Sequence, residues 1–433
     1  MKKFFECVME MRAFLVLWLT QLLSGLGSSI TGYALVLWSY GEKGSALATS
    51  LLMVCSYAPY VLFSIFAGAL SDRWDKKRTM LACDLAAALN TLFALILFET
   101  GMLRIWHLYV INAVSGLMNT LQQPASEVAT TVLLPRKYYQ KDGGLRYFAN
   151  ALTSIATPVI ATAFVGLWGM RIVFAFDIFT FLIAFITLLV FIKIPQPERN
   201  SDKKEPFAVS VRAGLGFLKR NRGILNLILF FAAINLVASM YNAALPALLL
   251  SRAGEKELGV VNAVTGITML IGSVAASFIK APKSRVRVIM NSLLFSMSFE
   301  NFLLAFGRSL PVWCLGAFLG WIFIPLMNAN LSAIMRLSIP GDIQGRVYAA
   351  RNSLQFFTIP VGYFLGGFFV DEVFEPLLAR ASDGSAARLL FGGGKGSGAA
   401  AFFALLAVSG ILVCLIYRRK RSIWALEDGV NHR

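Results

Sequence analysis

The residues of this chain best suited to chemistry are carboxylates and amides set at helical spacing inside apolar sequence. Along 106–134, Asn112, Gly116, Asn119, Gln123 and Glu127 recur at i, i+4, i+7, i+11 and i+15. At about 100° per residue they share an arc of roughly 80° on one helix face. Such a stripe can hydrogen-bond a polar ligand and exchange a proton. It cannot face lipid cheaply, because an ionised side chain near the bilayer centre costs several kcal/mol. It must face protein or a water-filled cavity. Gln21, Gly25, Ser28 and Gly32 repeat the spacing in 13–39, and Asn235, Ser239, Asn242 and Pro246 in 224–251. Arg351, Gln355, Thr358 and Gly362 do so in 346–371. Plain helix packing accounts for any one stripe taken alone. Their recurrence at corresponding places in two halves of the chain favours a cavity.

Four acids lie within or beside apolar sequence: Asp84, Glu127, Asp177 and Glu300. A carboxyl that moves between an apolar setting and a cation such as Arg351 would take up and release a proton. A structural ion pair or a hydrogen bond to backbone is the alternative for each. Glu127 is favoured for coupling because it alone ends a long polar stripe. Asp84 is assigned to a cytoplasmic hinge. Other site chemistries lack their residues. The chain has 2 histidines, His107 and His432, too few for a histidine cluster. Its 5 cysteines are scattered without metal-ligand spacing, so neither zinc nor a disulfide framework is expected.

These side chains must be held by membrane helices. The hydrophobic fraction is 57%, above the usual 45–50% of a soluble domain. Twelve apolar stretches each match the roughly 20 residues needed to cross a hydrocarbon core. They are read as 13–39, 47–70, 79–98, 106–134, 146–168, 171–194, 224–251, 257–280, 286–306, 311–336, 346–371 and 399–417. The expected fold class is an all-α membrane protein of twelve transmembrane helices in two six-helix pseudo-symmetric bundles. The expected domains are 1–194, a cytoplasmic linker 195–223, and 224–433. In that linker Phe207, Val211, Leu215 and Leu218 oppose basic residues, which predicts an amphipathic helix on the inner membrane surface; a solvated linker is the alternative.

The net charge of +17 reflects topology rather than nucleic-acid binding. About 30 Lys and Arg fall in the termini and even-numbered loops and about 9 in the odd-numbered loops, a positive-inside pattern. Both termini are therefore expected in the cytoplasm, with the chain in the plasma (inner) membrane and anionic lipid headgroups as partners. The outer loop 372–398 contains Gly392-Gly393-Gly394-Lys395-Gly396-Ser397-Gly398. It lacks phosphate-loop spacing and a preceding strand, so no nucleotide partner is expected. A flexible or re-entrant turn is expected there instead.

The second and third crossings are joined by Gly68-Ala69-Leu70-Ser71-Asp72-Arg73-Trp74-Asp75-Lys76-Lys77-Arg78. This order resembles the signature loop of the major facilitator superfamily, GxLaDrxGrk, with Asp75 in place of its second glycine. The stretches Gln123-Pro124-Ala125, Pro340-Gly341-Asp342-Ile343-Gln344-Gly345-Arg346-Val347 and Asp371-Glu372-Val373-Phe374-Glu375-Pro376-Leu377 look like its macrolide-efflux and enterobactin-exporter branch. Two family motifs depart here. The arginine common in the fourth helix is Asn112, and the antiporter motif of the fifth reads Thr157-Pro158-Val159-Ile160-Ala161-Thr162.

The resemblance implies a monomeric secondary transporter, not an enzyme, that exports an amphiphilic small molecule by alternating access. It implies a proton gradient as driver and no cofactor. The substrate cavity would draw on Gln21, Ser28, Asn112, Asn119, Gln123, Glu127, Asp177, Asn235, Asn242, Glu300, Arg351 and Gln355. A cytoplasmic gate would use Gly68, Asp72, Arg73, Lys76, Lys77, Asp84 and Arg346. A lysophospholipid flippase, a nutrient importer and a non-transporting receptor or scaffold stand as alternatives. A lipid acyltransferase would need a catalytic constellation that the sequence lacks.

Overall fold

The computed structural model describes residues 9–135, 139–195, 207–280, 282–340 and 343–431. Within these, the side chains of 65–73, 139–144, 146–147, 207–213, 344–346, 349 and 428–431 are outside the description. The expected gate residues Gly68, Asp72, Arg73 and Arg346 fall in those segments.

The described chain is a succession of helices, as hydrocarbon requires of a backbone that must satisfy its own polar groups. In chain order these are α1 Arg12–Lys43, α2 Ala46–Arg73, α3 Lys76–Glu99, α4 Ile105–Leu133, α5 Tyr139–Trp168 and α6 Met170–Val190. A shorter α7, Phe207–Arg220, lies in the linker. There follow α8 Arg222–Arg252, α9 Glu255–Phe278, α10 Arg285–Phe306, α11 Leu310–Trp321 and α12 Ile324–Ser338. The last group is α13 Gln344–Phe356, α14 Thr358–Phe368, α15 Glu375–Ala379, α16 Ala386–Phe391, α17 Ser397–Arg418 and α18 Arg421–Asn431. A π-helical turn, Phe369–Phe374, joins α14 to α15.

Eleven spans among the described residues are long and apolar enough to cross a membrane. Each of the expected crossings except the fourth has a counterpart among them. The fourth crossing is α4, a 29-residue helix absent from the eleven. Its Asn and Gln side chains dilute the hydropathy while leaving the length intact. The chain is a multi-pass membrane protein. The tenth expected crossing is two helices, α11 and α12, parted near Ile322 with Pro325 in the first turn of α12.

The chain divides into two compact units, 1–39 with 55–203, and 40–54 with 204–433. In the first, α3 packs against α4 and α6. Ala125 and Ala129 of α4 meet Leu17, Met80, Leu188 and Ile192 in one buried cluster. Gly116 presses α4 onto α2: a Cβ there would lie 2.1 Å from the Ser56 carbonyl oxygen. That glycine of the polar stripe is a helix-contact residue. In the second unit α8 packs on α14 and α17, and α10 on α17. The linker helix α7 packs against α13, and α18 against α8 and α12.

The 40–54 segment, the tip of the α1–α2 hairpin, is tied to the second unit by a helix cap. Asp371, in the π-helical turn, accepts hydrogen bonds from Ser45 Oγ at 2.6 Å, Ala46 N–H at 3.0 Å and Leu47 N–H at 2.8 Å. These are orphan donors at the start of α2, where the helix dipole also favours an anion. Tyr40 Oη lies 2.5 Å from Ser251 Oγ and 3.2 Å from the Ala247 carbonyl. Glu375 repeats the device, accepting from Gly396 N–H at 2.9 Å and Ala399 N–H at 3.3 Å at the start of α17. The glycine-rich outer loop is thus folded onto a helix terminus. Asp371→Ala should cost about 1–2 kcal/mol and Asp371→Asn less, since an amide oxygen still accepts at an N-terminus. Thermal melting of the purified protein in detergent measures the difference.

Candidate functional site

A cavity of about 570 Å³ lies inside the first unit, lined by α1, α2, α3, α4 and α6. Its polar lining includes two carboxyls, Asp84 and Asp177, each about 5% exposed or less. Each is held by neutral side chains. Asp84 Oδ1 accepts from Gln122 Nε2 at 2.6 Å, and its Oδ2 from Gln21 Nε2 at 3.3 Å. Gln122 Nε2 also donates to Gln21 Oε1 at 3.3 Å, closing a ring of three residues. Asp177 Oδ1 accepts from Ser28 Oγ at 3.0 Å, and its Oδ2 from Thr91 Oγ1 at 2.9 Å. Asn90 of α3 binds the Ile111 carbonyl and Ser115 Oγ on α4, fixing that edge of the cavity.

Local sequence explains why these groups meet. Gln21 and Ser28 lie seven residues apart on α1, and Asp84 and Thr91 seven apart on α3. Seven residues are two helical turns, so the two helices present matched pairs on facing stripes. Gly27 lets α1 approach α6: a Cβ there would fall 2.3 Å from Thr180 Oγ1 and 3.1 Å from Asp177 Oδ1.

The expected site residues separate into groups. Gln21, Ser28, Asn112, Asn119, Gln123 and Asp177 line this cavity together. Asp84, expected at the cytoplasmic gate, lines it too. Asn112 Nδ2 turns back to the Leu108 carbonyl at 2.9 Å. Glu127 is outside the lining; it is exposed, with Gln123 Nε2 donating to its Oε1 at 3.5 Å. Its helix therefore shows two faces, the Ala125 and Ala129 face packed and the Gln123 and Glu127 face open.

In the second unit Asn235 Nδ2 donates to the Gln355 carbonyl at 3.1 Å, and Arg351 Nε to Gln355 Oε1 at 2.9 Å. Asn242 Nδ2 bonds the Ala238 carbonyl of its own helix. Glu300 is apart from these. Its Oε1 accepts from Tyr241 Oη at 2.6 Å and Trp321 Nε1 at 2.8 Å, joining α8, α10 and α11. Of the gate residues whose side chains are described, Lys77 Nζ donates to the Leu189 and Ile192 carbonyls at 2.9 and 2.8 Å. It caps the end of α6, where a cation suits the dipole. Lys76 Nζ bonds the Trp74 carbonyl at 3.1 Å. Asp75, the departure from the loop signature, is the N-cap of α3, accepting from Arg78 N–H at 2.8 Å.

Sequence reasoning did not find Gln122, Thr91, Tyr241 or Trp321. Gln122 is one residue off the α4 stripe, and the only signal was the Gln122-Gln123 pair itself. Among the described residues no group of three or more His, Cys, Asp or Glu is placed to hold a metal ion. What the cavity can do chemically is hold water, polar groups and protons.

The Major Facilitator Superfamily profile matches residues 17–283. The chain belongs to that superfamily, a family of transporters. Macrolide efflux protein A of Streptococcus pyogenes is 24% identical over 369 residues, covering 83% of this chain and 90% of that protein. Macrolide efflux protein A of Enterococcus faecalis is 25% identical over 328 residues, covering 74% and 99%. Multidrug efflux pump Tap of Mycolicibacterium fortuitum is 24% identical over 368 residues, covering 81% and 87%. Among solved structures, the nucleoside transporter NupG superposes with a TM-score of 0.66 at 10% identity, over 94% of this chain and 98% of that one. A bacterial homologue of the iron transporter ferroportin gives 0.63 at 16% identity, over 93% and 98%. These likenesses carry the fold.

Tyr241→Phe leaves the buried Glu300 with one donor fewer and should destabilise the protein by about 2 kcal/mol. In the Glu300→Gln background the same change should cost less, because a neutral amide needs its donors less. A double-mutant cycle on melting temperatures reads that coupling.

Proposed function

We propose that this protein is a proton-driven exporter of an amphiphilic small molecule, macrolide-like or siderophore-like, working by alternating access. It acts as a monomer in the plasma (inner) membrane with both termini cytoplasmic, and it needs no cofactor. The observation that carries this reading is the match, over 83% of the chain, to a protein named for macrolide efflux. The energetics agree. One proton moving down a potential of about 100 mV releases about 2.3 kcal/mol, a roughly fifty-fold gradient of a neutral substrate.

Glu127 is exposed beside Gln123, which suits attraction of a cationic amphiphile better than carriage of an enclosed proton. Gln123 and Asn119, exposed on the same helix, would add hydrogen bonds to that ligand. The family signature implies gate roles for Asp72, Arg73 and Arg346, and Lys77 of the same signature caps the end of α6.

Everted membrane vesicles offered ethidium, erythromycin and a catecholate siderophore test the reading. Accumulation of at least one probe should vanish when the pH gradient is collapsed. Gradient-independent uptake, or transfer of lipid headgroups in place of all three probes, would replace the exporter with another carrier. Glu127→Gln should weaken apparent erythromycin affinity by about five-fold, a loss of about 1 kcal/mol, while accumulation still follows the gradient. Loss of gradient dependence with unchanged exchange would instead make Glu127 the coupling acid.

A further inference from the structure

The two buried carboxyls of the first unit form a vertical series. Gln21 pairs with Asp84 at one level, and Ser28 and Thr91 pair with Asp177 at the next. Both α1 and α3 advance seven residues between levels, about 10 Å along the axis. The same cavity reaches both.

The partners at both levels share one chemical property. Glutamine offers an N–H₂ on one side and a carbonyl on the other, and serine and threonine hydroxyls donate or accept by rotating. When a carboxyl is ionised these groups donate to it. When it is protonated they turn and accept its O–H. Both states are satisfied with no backbone movement. An arginine or lysine partner would hold the acid ionised, and among the described lining residues there is neither. Among the described residues, the charged groups facing the cavity from α1, α2, α3, α4 and α6 are Asp84 and Asp177 themselves, with the Cys83 thiol next to Asp84 in the chain.

A further hydroxyl stands ready. Thr31, 7% exposed, lines the cavity one turn beyond Ser28. Its Oγ1 comes near the Asp177 carboxyl but completes no hydrogen bond in this arrangement. It is an acceptor in waiting for a protonated Asp177.

We propose that Asp84 and Asp177 are the proton-carrying pair of this transporter, two stations in a water-accessible cavity inside the first unit, distinct from the exposed Glu127 face. The proposal rests on the proton-driven reading above. A proton arriving by cavity water binds one carboxyl, and on its release passes through water and the intervening hydroxyls to the other. A bare sodium ion fits less well. The two acids are two turns apart, and all four carboxylate oxygens already accept hydrogen bonds, so no point gathers several anionic oxygens.

The test uses the full chain in proteoliposomes with labelled erythromycin as probe. Two quantities are read: accumulation driven by a pH gradient, and exchange with equal pH on both sides. Asp84→Asn and Asp177→Asn keep the shape and the hydrogen bonds but lock the protonated form. In each, gradient-driven accumulation should fall from as much as about fifty-fold to none while exchange of the probe remains measurable. Asp177→Glu should restore part of the drive, which a packing role would not. Infrared titration adds a second readout: part of the carboxylic C=O absorption that grows as pH falls in the wild-type protein should be absent from the double Asp→Asn protein. Variants that still accumulate probe with the gradient would overturn the pair. Equal loss of exchange and drive in well-folded variants would overturn it too, as would drive by a sodium gradient or an infrared band unchanged in the double variant. Wild-type accumulation indifferent to pH would defeat the exporter reading itself, whereas driven wild type with driven variants defeats the proton pair alone.

Discussion

A polar group in hydrocarbon has no water to fall back on, and this constraint governs the arrangement of the molecule. Three buried acids within the helices are answered by donors from other helices. Asp84 draws on α1 and α4, Asp177 on α1 and α3, and Glu300 on α8 and α11. The acids therefore do two things at once. They lock particular helix faces together, and they create the polar interiors that a transporter needs.

The kind of donor decides what each acid is good for. Asp371 and Glu375 meet backbone N–H groups at helix starts, which can only donate. Such carboxylates are structural caps. Glu300 has Trp321 Nε1–H, likewise a donor only, beside a tyrosine hydroxyl. Asp84 and Asp177 are surrounded by groups that work in either direction. That contrast also makes sense of a departure in the sequence. Position 112, where many family members carry arginine, holds an asparagine that bonds its own helix at Leu108. The cavity lining keeps neutral partners around its acids.

Sequence and tertiary structure agree where the reasoning was periodic. The all-helical class, most of the crossings and the linker helix were legible from apolar length and 3.6-residue spacing. The α1 stripe found Gln21 and Ser28, and both line the cavity. The α4 stripe divides in the structure: Asn112, Asn119 and Gln123 line the cavity, Gly116 contacts α2, and Glu127 is exposed. An arc of about 80° is wide enough to touch a cavity at one end and leave it at the other, and helix rotation relative to neighbours is not encoded in a single helix's pattern.

What the sequence by itself determined is what local physics sets: membrane helices from hydropathy, and the family from the Gly68–Arg78 loop. What only the tertiary structure decided is which polar residues answer which. Asp84 and Gln122 are 38 positions apart, and Ser28 and Asp177 are 149 apart. No periodicity links such pairs, because they are brought together by helix contacts such as the one Gly27 permits. The acid with the best local pattern was Glu127; the acids with enclosed partners are Asp84, Asp177 and Glu300, and enclosure is a property of packing.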